Sequence, residues 1–104
     1  RLRLSIADDV RVSDPAIAEA VLRLVQEALT NAARHADADT LDVALHREGA
    51  SLHVTIEDDG RVRDGWREGN GIAGMRERLA ALQGRVRLAR NPHGAMRIDA
   101  ELPA

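Results

Sequence analysis

The stretch that decides the fold is QEALTNAARHA, residues Gln26 to Ala36. Apolar side chains in and before it recur at offsets of three and four, which predicts a helix with one buried side; they are Val21, Leu22, Val25, Ala28, Leu29 and Ala32. Glu27, Asn31 and His35 are spaced by four residues, so they stack on another side of the same helix. Together with the guanidinium of Arg34, their carboxylate, amide and imidazole can hold hydrated Mg²⁺ and an anionic group. A plain solvated polar face is the alternative.

Composition restricts the class of protein. The chain has 104 residues, 44% of them apolar and 1% aromatic, so we expect one domain with a core of Leu, Val, Ile and Ala. The absence of cysteine excludes disulfides and Cys-ligated zinc and fits a cytoplasmic setting. A net charge of -2, with both signs interspersed, argues against nucleic-acid binding. No apolar run approaches a membrane span. Because the chain starts directly in a strand-like segment, we expect a domain of residues 1–104 that is excised from a longer protein and monomeric.

The remaining pattern predicts an α+β fold. Alternating or helical periodicity predicts a strand at Arg1–Ile6, a helix from Asp14-Pro15 to about His35 or Ala36, strands at Leu41–His46 and Leu52–Glu57, a helix at Gly71–Leu82 capped by Gly84, and strands around Val86–Leu88 and Met96–Leu102. Each strand alternates and so is expected to bury one face. This favours a two-layer α/β sandwich with a mixed, mostly antiparallel sheet and helices packed on one face.

A carboxylate and a glycine follow the third predicted strand. Asp58 stands at its end and Gly60 two residues later. A carboxylate there can accept a hydrogen bond from an exocyclic amine such as that of adenine, and a glycine lets a flat ring approach the backbone. An ordinary Asp-Asp-Gly turn is the alternative.

A glycine-containing segment precedes the second predicted helix. Residues 61–70 have no periodicity and predict a loop, and Gly69-Asn70-Gly71 leads from it into the helix. Backbone N–H groups at such a helix start can bind an anion. A loop joined to a simple helix cap is the alternative. The segment lacks the Gly-Lys-Ser/Thr that a Walker A loop requires.

In this order the motifs resemble the ATP-binding catalytic domain of sensor histidine kinases, within the wider Bergerat-type fold shared with DNA gyrase and a heat-shock chaperone family. The run Gln26–Ala32 resembles the N box of that family, Asp58-Asp59-Gly60 its first glycine box, and Gly69–Ile72 its second. The run Gly71–Arg78, GIAGMRER, resembles the nitrate-sensor and lipid-sensor subgroup. The resemblance extends from about Leu2 to Pro103.

The resemblance implies roles for the polar face of the first helix. Asn31 would coordinate Mg²⁺. Glu27 would be the catalytic residue that positions a water or acts as a base toward the attacking imidazole. Arg34 and His35 would approach the phosphates of ATP.

It also implies roles for the two glycine boxes. Asp58 would accept the adenine amine and Gly60 would line the ring. Gly69, Gly71 and the following backbone amides, including that of Ile72, would surround the triphosphate.

The implied activity is that of a histidine kinase. Mg-ATP would donate its γ-phosphoryl group to a histidine on a dimerising helical hairpin that this chain lacks, and a response regulator would act downstream. Residues 61–70 would form the ATP lid. Two alternatives remain: a nucleotide-sensing module of the same fold without kinase activity, and an anti-sigma-type serine kinase, which the Met75–Arg78 run disfavours.

Three residues depart from the family pattern. Val62 stands where a second glycine is common, Asp59 replaces a common Asn, and Ala95 replaces a common Thr. These departures predict modest ATP affinity.

Two histidines outside the motifs, His46 and His53, are expected to face outward on paired strands. We expect a cross-strand pair rather than a metal site, since two ligands alone seldom suffice.

Overall fold

The computed structural model describes residues 1–35, 39–60, 70–90, 92 and 95–103, with the backbone alone for 34, 35 and 70–72. Within those ranges the elements are β1 (Leu2–Ile6), α1 (Pro15–His35), β2 (Leu41–Glu48), β3 (Ser51–Asp58), α2 (Asn70–Ala81), β4 (Arg85–Arg90) and β5 (Met96–Pro103). The predicted order of strands and helices is confirmed. Neither helix in this part of the chain is long and apolar enough to cross a lipid bilayer.

The strands form one mixed sheet with the order β1-β2-β3-β5-β4. β1 and β2 are parallel because α1 connects them, and the three other pairings are antiparallel. In the β2–β3 pairing Leu41 lies opposite Asp58, so β2 begins where β3 ends. The α+β sandwich predicted from the sequence is confirmed, because the buried side chains of both helices and of β2–β5 form a single cluster on one face of the sheet.

Helix α1 begins at a predicted cap, but its buried side differs from the predicted one. The Asp14 carboxylate accepts a hydrogen bond from the Ala16 N–H at 2.9 Å, as an N-cap does. The buried residues of α1 are Ile17, Ala20, Leu24, Ala28 and Ala32. Leu22 and Leu29, which were expected in the buried stripe, are 57% and 40% exposed. Apolar residues extend around more than half of the helix, so their spacing predicts the helix but does not fix which side faces the sheet.

Strand β1 also departs from expectation. Its apolar side chains were expected to be buried, yet Leu2, Leu4 and Ile6 are 47%, 58% and 54% exposed. They lie beside Leu41, Val43 and Leu45 of β2 and therefore share the helix-facing side of the sheet. β1 is one of the two edge strands, and the described part of the helical layer does not cover its apolar side chains.

Two glycine-containing turns position the flanking strands. The β2–β3 loop is shorter than the Glu48–Ser51 hairpin loop that the sequence predicts, since only Gly49 and Ala50 lie between the strands. Gly49 has a positive φ of 58°, as a two-residue hairpin turn requires. At the end of α2 the left-handed residue is Gln83, with φ 62°, and not the predicted Gly84. The Gly84 and Gln83 N–H groups donate to the Leu79 and Ala80 carbonyls, which is the Schellman pattern.

Gly84 is instead required by a close approach. A Cβ at this position would lie 2.5 Å from Leu102 Cδ2 and 2.6 Å from the Glu101 carbonyl oxygen of β5. The missing side chain therefore lets the chain turn from α2 into β4 directly against β5.

Candidate functional site

Glu27 and Asn31 lie at one margin of the buried side of α1. Both are half-buried, and they are one turn apart. Glu27 lines a groove between the two helices with a volume of about 270 Å³. The other lining residues are Arg23, Gln26 and Thr30 from α1 and Gly74, Met75 and Arg78 from α2. Of the predicted polar face, Glu27 is thus turned toward α2.

The two helices run in opposite directions along this groove. Gln26 and Thr30 face Gly74, whereas farther toward the start of α1 Ala16 faces Ala81. The amino end of α2 therefore lies toward the carboxyl end of α1, on the side of Asn31. Free N–H groups and the helix dipole make such an amino end favourable for an anion.

Asp58 occupies the end of β3, as predicted. Its Oδ1 accepts a hydrogen bond from the Gly60 N–H at 2.9 Å, and Gly60 is buried. Partial burial raises the pKa of Asp58 above its ordinary value, and the charges of Asp59 and Glu57 act in the same direction. The backbone N–H groups of Gly60 and Met96 oppose this by stabilising the charged form. The hydrogen bond from the Gly60 N–H holds the carboxylate in place at the end of β3.

Asp59 has a structural role that the sequence did not reveal. Its Oδ1 accepts hydrogen bonds from the N–H groups of Asp39 at 2.8 Å and Thr40 at 2.9 Å. These hydrogen bonds lower the pKa of Asp59, and the bond from the Thr40 N–H has the largest effect. The side chain therefore fixes Asp39 and Thr40, which directly precede β2.

These contacts bring the main predicted residues to one end of the domain. Asp59 ties the end of β3 to Asp39 and Thr40 before β2, and Ala95, which is 2% exposed, directly precedes β5, the other neighbour of β3. Asn31, the amino end of α2 and the Asp58–Gly60 segment thus lie at the same end of the sheet and its helical layer.

Several predicted residues are placed only in part. Arg34 and His35 belong to the last turn of α1, and Gly71 and Ile72 to the first turn of α2, each by backbone alone. Gly69 lies outside the described residues. The same holds for Val62 and for the predicted lid up to residue 69, while Asn70 opens α2.

Residues 16–104 match the family described as histidine kinase-, DNA gyrase B- and HSP90-like ATPases. This chain belongs to that family. The match covers most of the chain and includes Asn31, Asp58, Gly60 and α2.

Curated relatives of this ATPase family member are sensor kinases. It is 35% identical over 89 residues to the sensor histidine kinase YxjM of Bacillus subtilis, covering 86% of this chain and 22% of YxjM. It is 33% identical over 101 residues to the signal transduction histidine-protein kinase/phosphatase UhpB of Salmonella typhimurium, covering 91% of this chain and 20% of UhpB. The chain therefore spans about a fifth of the length of these relatives.

A solved structure shows the same fold. The histidine kinase domain of the blue-light activated histidine kinase EL346 from Erythrobacter litoralis superposes with a TM-score of 0.76 at 23% identity, covering 98% of this chain and 51% of that one. This likeness shows the fold, and the family match and the relatives above identify the chain as an ATP-binding domain of the sensor histidine kinase type.

Proposed function

We propose that this domain binds Mg-ATP at the end formed by α1, α2 and β3 and is the catalytic ATP-binding part of a two-component sensor histidine kinase. The observation that carries the proposal is the arrangement of three elements: β3 ends in Asp58–Gly60 beside the start of β2, and the two helices run antiparallel, so α2 begins toward the end of α1 that carries Asn31. An amide oxygen, the N–H groups of a helix start and a carboxylate match the metal, phosphate and base of a nucleotide.

Asp58 and Gly60 would recognise the adenine ring. The Asp58 carboxylate already accepts the Gly60 N–H with Oδ1, which leaves acceptor capacity for the exocyclic amine of adenine. Gly60 has no side chain to keep a flat ring from the backbone. Partial burial strengthens this recognition, because hydrogen bonds gain strength where water is excluded.

Asn31 and Glu27 would act at the phosphates. The Asn31 amide offers the oxygen that Mg²⁺ prefers, and the residue belongs to the half-buried margin of α1, so its chemistry fits the ion. When bound, Mg²⁺ offsets the negative charge of the phosphates during phosphoryl transfer. Glu27, one turn away on the wall of the groove, would position a water or take the proton from the attacking imidazole.

The second glycine segment would close the site. Gly69, Gly71 and the Ile72 amide would bind the triphosphate, with Arg34 and His35 supplying positive charge from α1. Residues 61–70 would be the lid that covers the nucleotide.

The phosphoryl group would pass to a histidine on a dimerising hairpin of the same kinase. That hairpin and a response regulator are the proposed partners, with the domain on the cytoplasmic side. The names of the relatives support this assignment, since each is a sensor or signal-transduction histidine kinase.

Replacing Asp58 tests the assignment of the adenine contact. Asp58→Ala should weaken ATP binding at least about tenfold, because a charge-assisted hydrogen bond to adenine contributes about 1.5–3 kcal/mol. Binding of inorganic tripolyphosphate, which has no adenine, should change little. Both constants come from calorimetry in millimolar Mg²⁺.

The matched control is Asp42→Ala, which removes a carboxylate paired with Arg3 on the other face of the sheet. It should leave both ligands unaffected. Equal weakening of ATP and tripolyphosphate by Asp58→Ala would contradict the assigned role.

A further inference from the structure

Three side chains outside the nucleotide site come together at the β2–β3 hairpin. His46 and Glu48 are two residues apart on β2 and therefore project from the same face, and His53 of β3 lies directly opposite His46. This face is the open one, because Leu52 and Val54 beside His53 are buried under the helices. The turn at Gly49 and Ala50 keeps Glu48 close to the histidine pair.

The ligand atoms of the three side chains converge. The rings of His46 and His53 are stacked, with centroids 4.9 Å apart and planes inclined by 18°. His53 Nε2 lies 3.2 Å from Glu48 Oε2. One ligand atom from each residue lies within 4.8 Å of the other two. The pair expected from the sequence is thus confirmed, and Glu48 adds a third potential ligand.

This set has the composition of a transition-metal site. Imidazole nitrogen and carboxylate oxygen suit Zn²⁺ and its neighbours, whereas Mg²⁺ prefers oxygen alone. With metal–ligand bonds of about 2.0–2.2 Å, donors around a tetrahedral ion are roughly 3.3–3.6 Å apart. The ligand atoms here are up to 4.8 Å apart and must come closer together to bind one ion. Two of the three side chains can turn to do so, since His46 is exposed and the Glu48 side chain is 70% exposed.

We propose that His46, Glu48 and His53 form a surface site for a divalent transition-metal ion, tested as Zn²⁺, with water completing its coordination. Bound there, the ion joins β2 to β3 beside their turn and stabilises the folded state, because the two strands come together only on folding.

The site is separate from the nucleotide site. His53 precedes Asp58 by five residues on β3, which places them about 16–17 Å apart along the strand. Glu27 and Asn31 belong to the helical layer on the opposite face. The nearest carboxylate on β5, that of Glu101 opposite His53, lies 3.2 Å from Arg85 Nη2 and is engaged in that ion pair.

The test is a calorimetric titration of the nucleotide-free chain with ZnCl₂, in a buffer that does not bind metal and contains millimolar Mg²⁺. We expect one Zn²⁺ per chain at this site. Free Zn²⁺ at about five times its Kd should raise the Tm by about 4–8 °C, and EDTA should reverse the shift. His53→Gln and Glu48→Gln should each raise the Kd at least about tenfold, since even outer partners of metal sites contribute 10–100-fold.

Matched controls separate this site from general metal binding. His93→Gln removes a histidine far along the chain, and Asp42→Asn removes another carboxylate of β2; both should keep the wild-type Kd. Circular dichroism verifies that every variant is folded. A Zn²⁺ affinity that is unchanged in His53→Gln, or no saturable binding by the wild type, would overturn the proposal.

Discussion

Two adjacent carboxylates at the end of β3 have different surroundings. Asp58 is partly buried with a raised pKa, while Asp59 is exposed and has its pKa lowered by the backbone N–H groups of Thr40 and Asp39. Asp58 is the residue proposed to accept an external donor, whereas Asp59 binds donors of the protein itself. A single Asp-Asp-Gly sequence thus places the proposed adenine contact beside a residue that joins the end of β3 to the residues before β2.

The depressed pKa of Asp59 predicts a pH-dependent contribution to stability. Its charged form is favoured in the folded state, so the contribution is complete at neutral pH and is lost as the pH falls below its usual 3.8. Asp59→Ala should therefore lower the Tm at pH 7, and the difference from wild type should narrow at pH 3. Thermal melts at both values measure this, and a difference that is the same at both would refute it.

Whether the sequence predicts a feature of this site depends on how far apart in the sequence the contacting residues lie. Asp58 and Gly60 could be predicted because the motif is local to one strand end. The role of Asp59 could not, since its partners Asp39 and Thr40 lie about twenty residues earlier and no periodicity reports that contact. The third ligand of the His46–His53 pair was missed because the true hairpin loop is shorter and brings Glu48 into β2.

Among the elements, the connection from α2 to β4 has strict steric demands. A Cβ at Gly84 would collide with the Leu102 side chain and the Glu101 carbonyl, so Gly84→Ala should destabilise the fold by about 1–3 kcal/mol. Gly74→Ala is the matched control, because a Cβ there meets no described atom within 4 Å. It should stabilise α2 by up to about 1 kcal/mol. Urea unfolding of both variants checks the opposite signs, and equal effects would contradict them.

The orientation of α1 yields a second prediction at this scale. Leu24 is 0% exposed and Leu22 is 57% exposed, although both are leucines of one helix. Leu24→Ala should cost about 2–5 kcal/mol of unfolding free energy, and Leu22→Ala about 0.5 kcal/mol or less. A loss at Leu22 as large as, or larger than, the loss at Leu24 in urea unfolding would contradict the observed orientation.

The periodicity of apolar residues predicted every helix and strand, but not which side of each element is buried against the rest of the protein. For α1 the apolar residues extend too far around the helix to fix its orientation. For β1 alternation identified a face with Leu2, Leu4 and Ile6, but burial of that face depends on the position of the strand in the sheet. Sheet order arises from contacts distant in sequence, so it became visible only in the structure.

At the scale of the whole molecule, the two faces of the sheet have separate properties. The helical face contains the core and, at one end, the residues proposed to bind Mg-ATP. The open face carries ion pairs such as Arg3–Asp42 and Arg97–Glu57 together with the proposed metal site. Because these features share only the strands, a change on the open face should leave nucleotide binding intact.

The most direct test of the account is a calorimetric titration of this chain and its Asn31→Ala variant with ATP, with and without Mg²⁺. We predict saturable binding by the wild type that Mg²⁺ strengthens, and loss of that Mg²⁺ dependence in the variant with little change in Tm. No binding of Mg-ATP by the folded wild type at millimolar ligand would contradict the central claim.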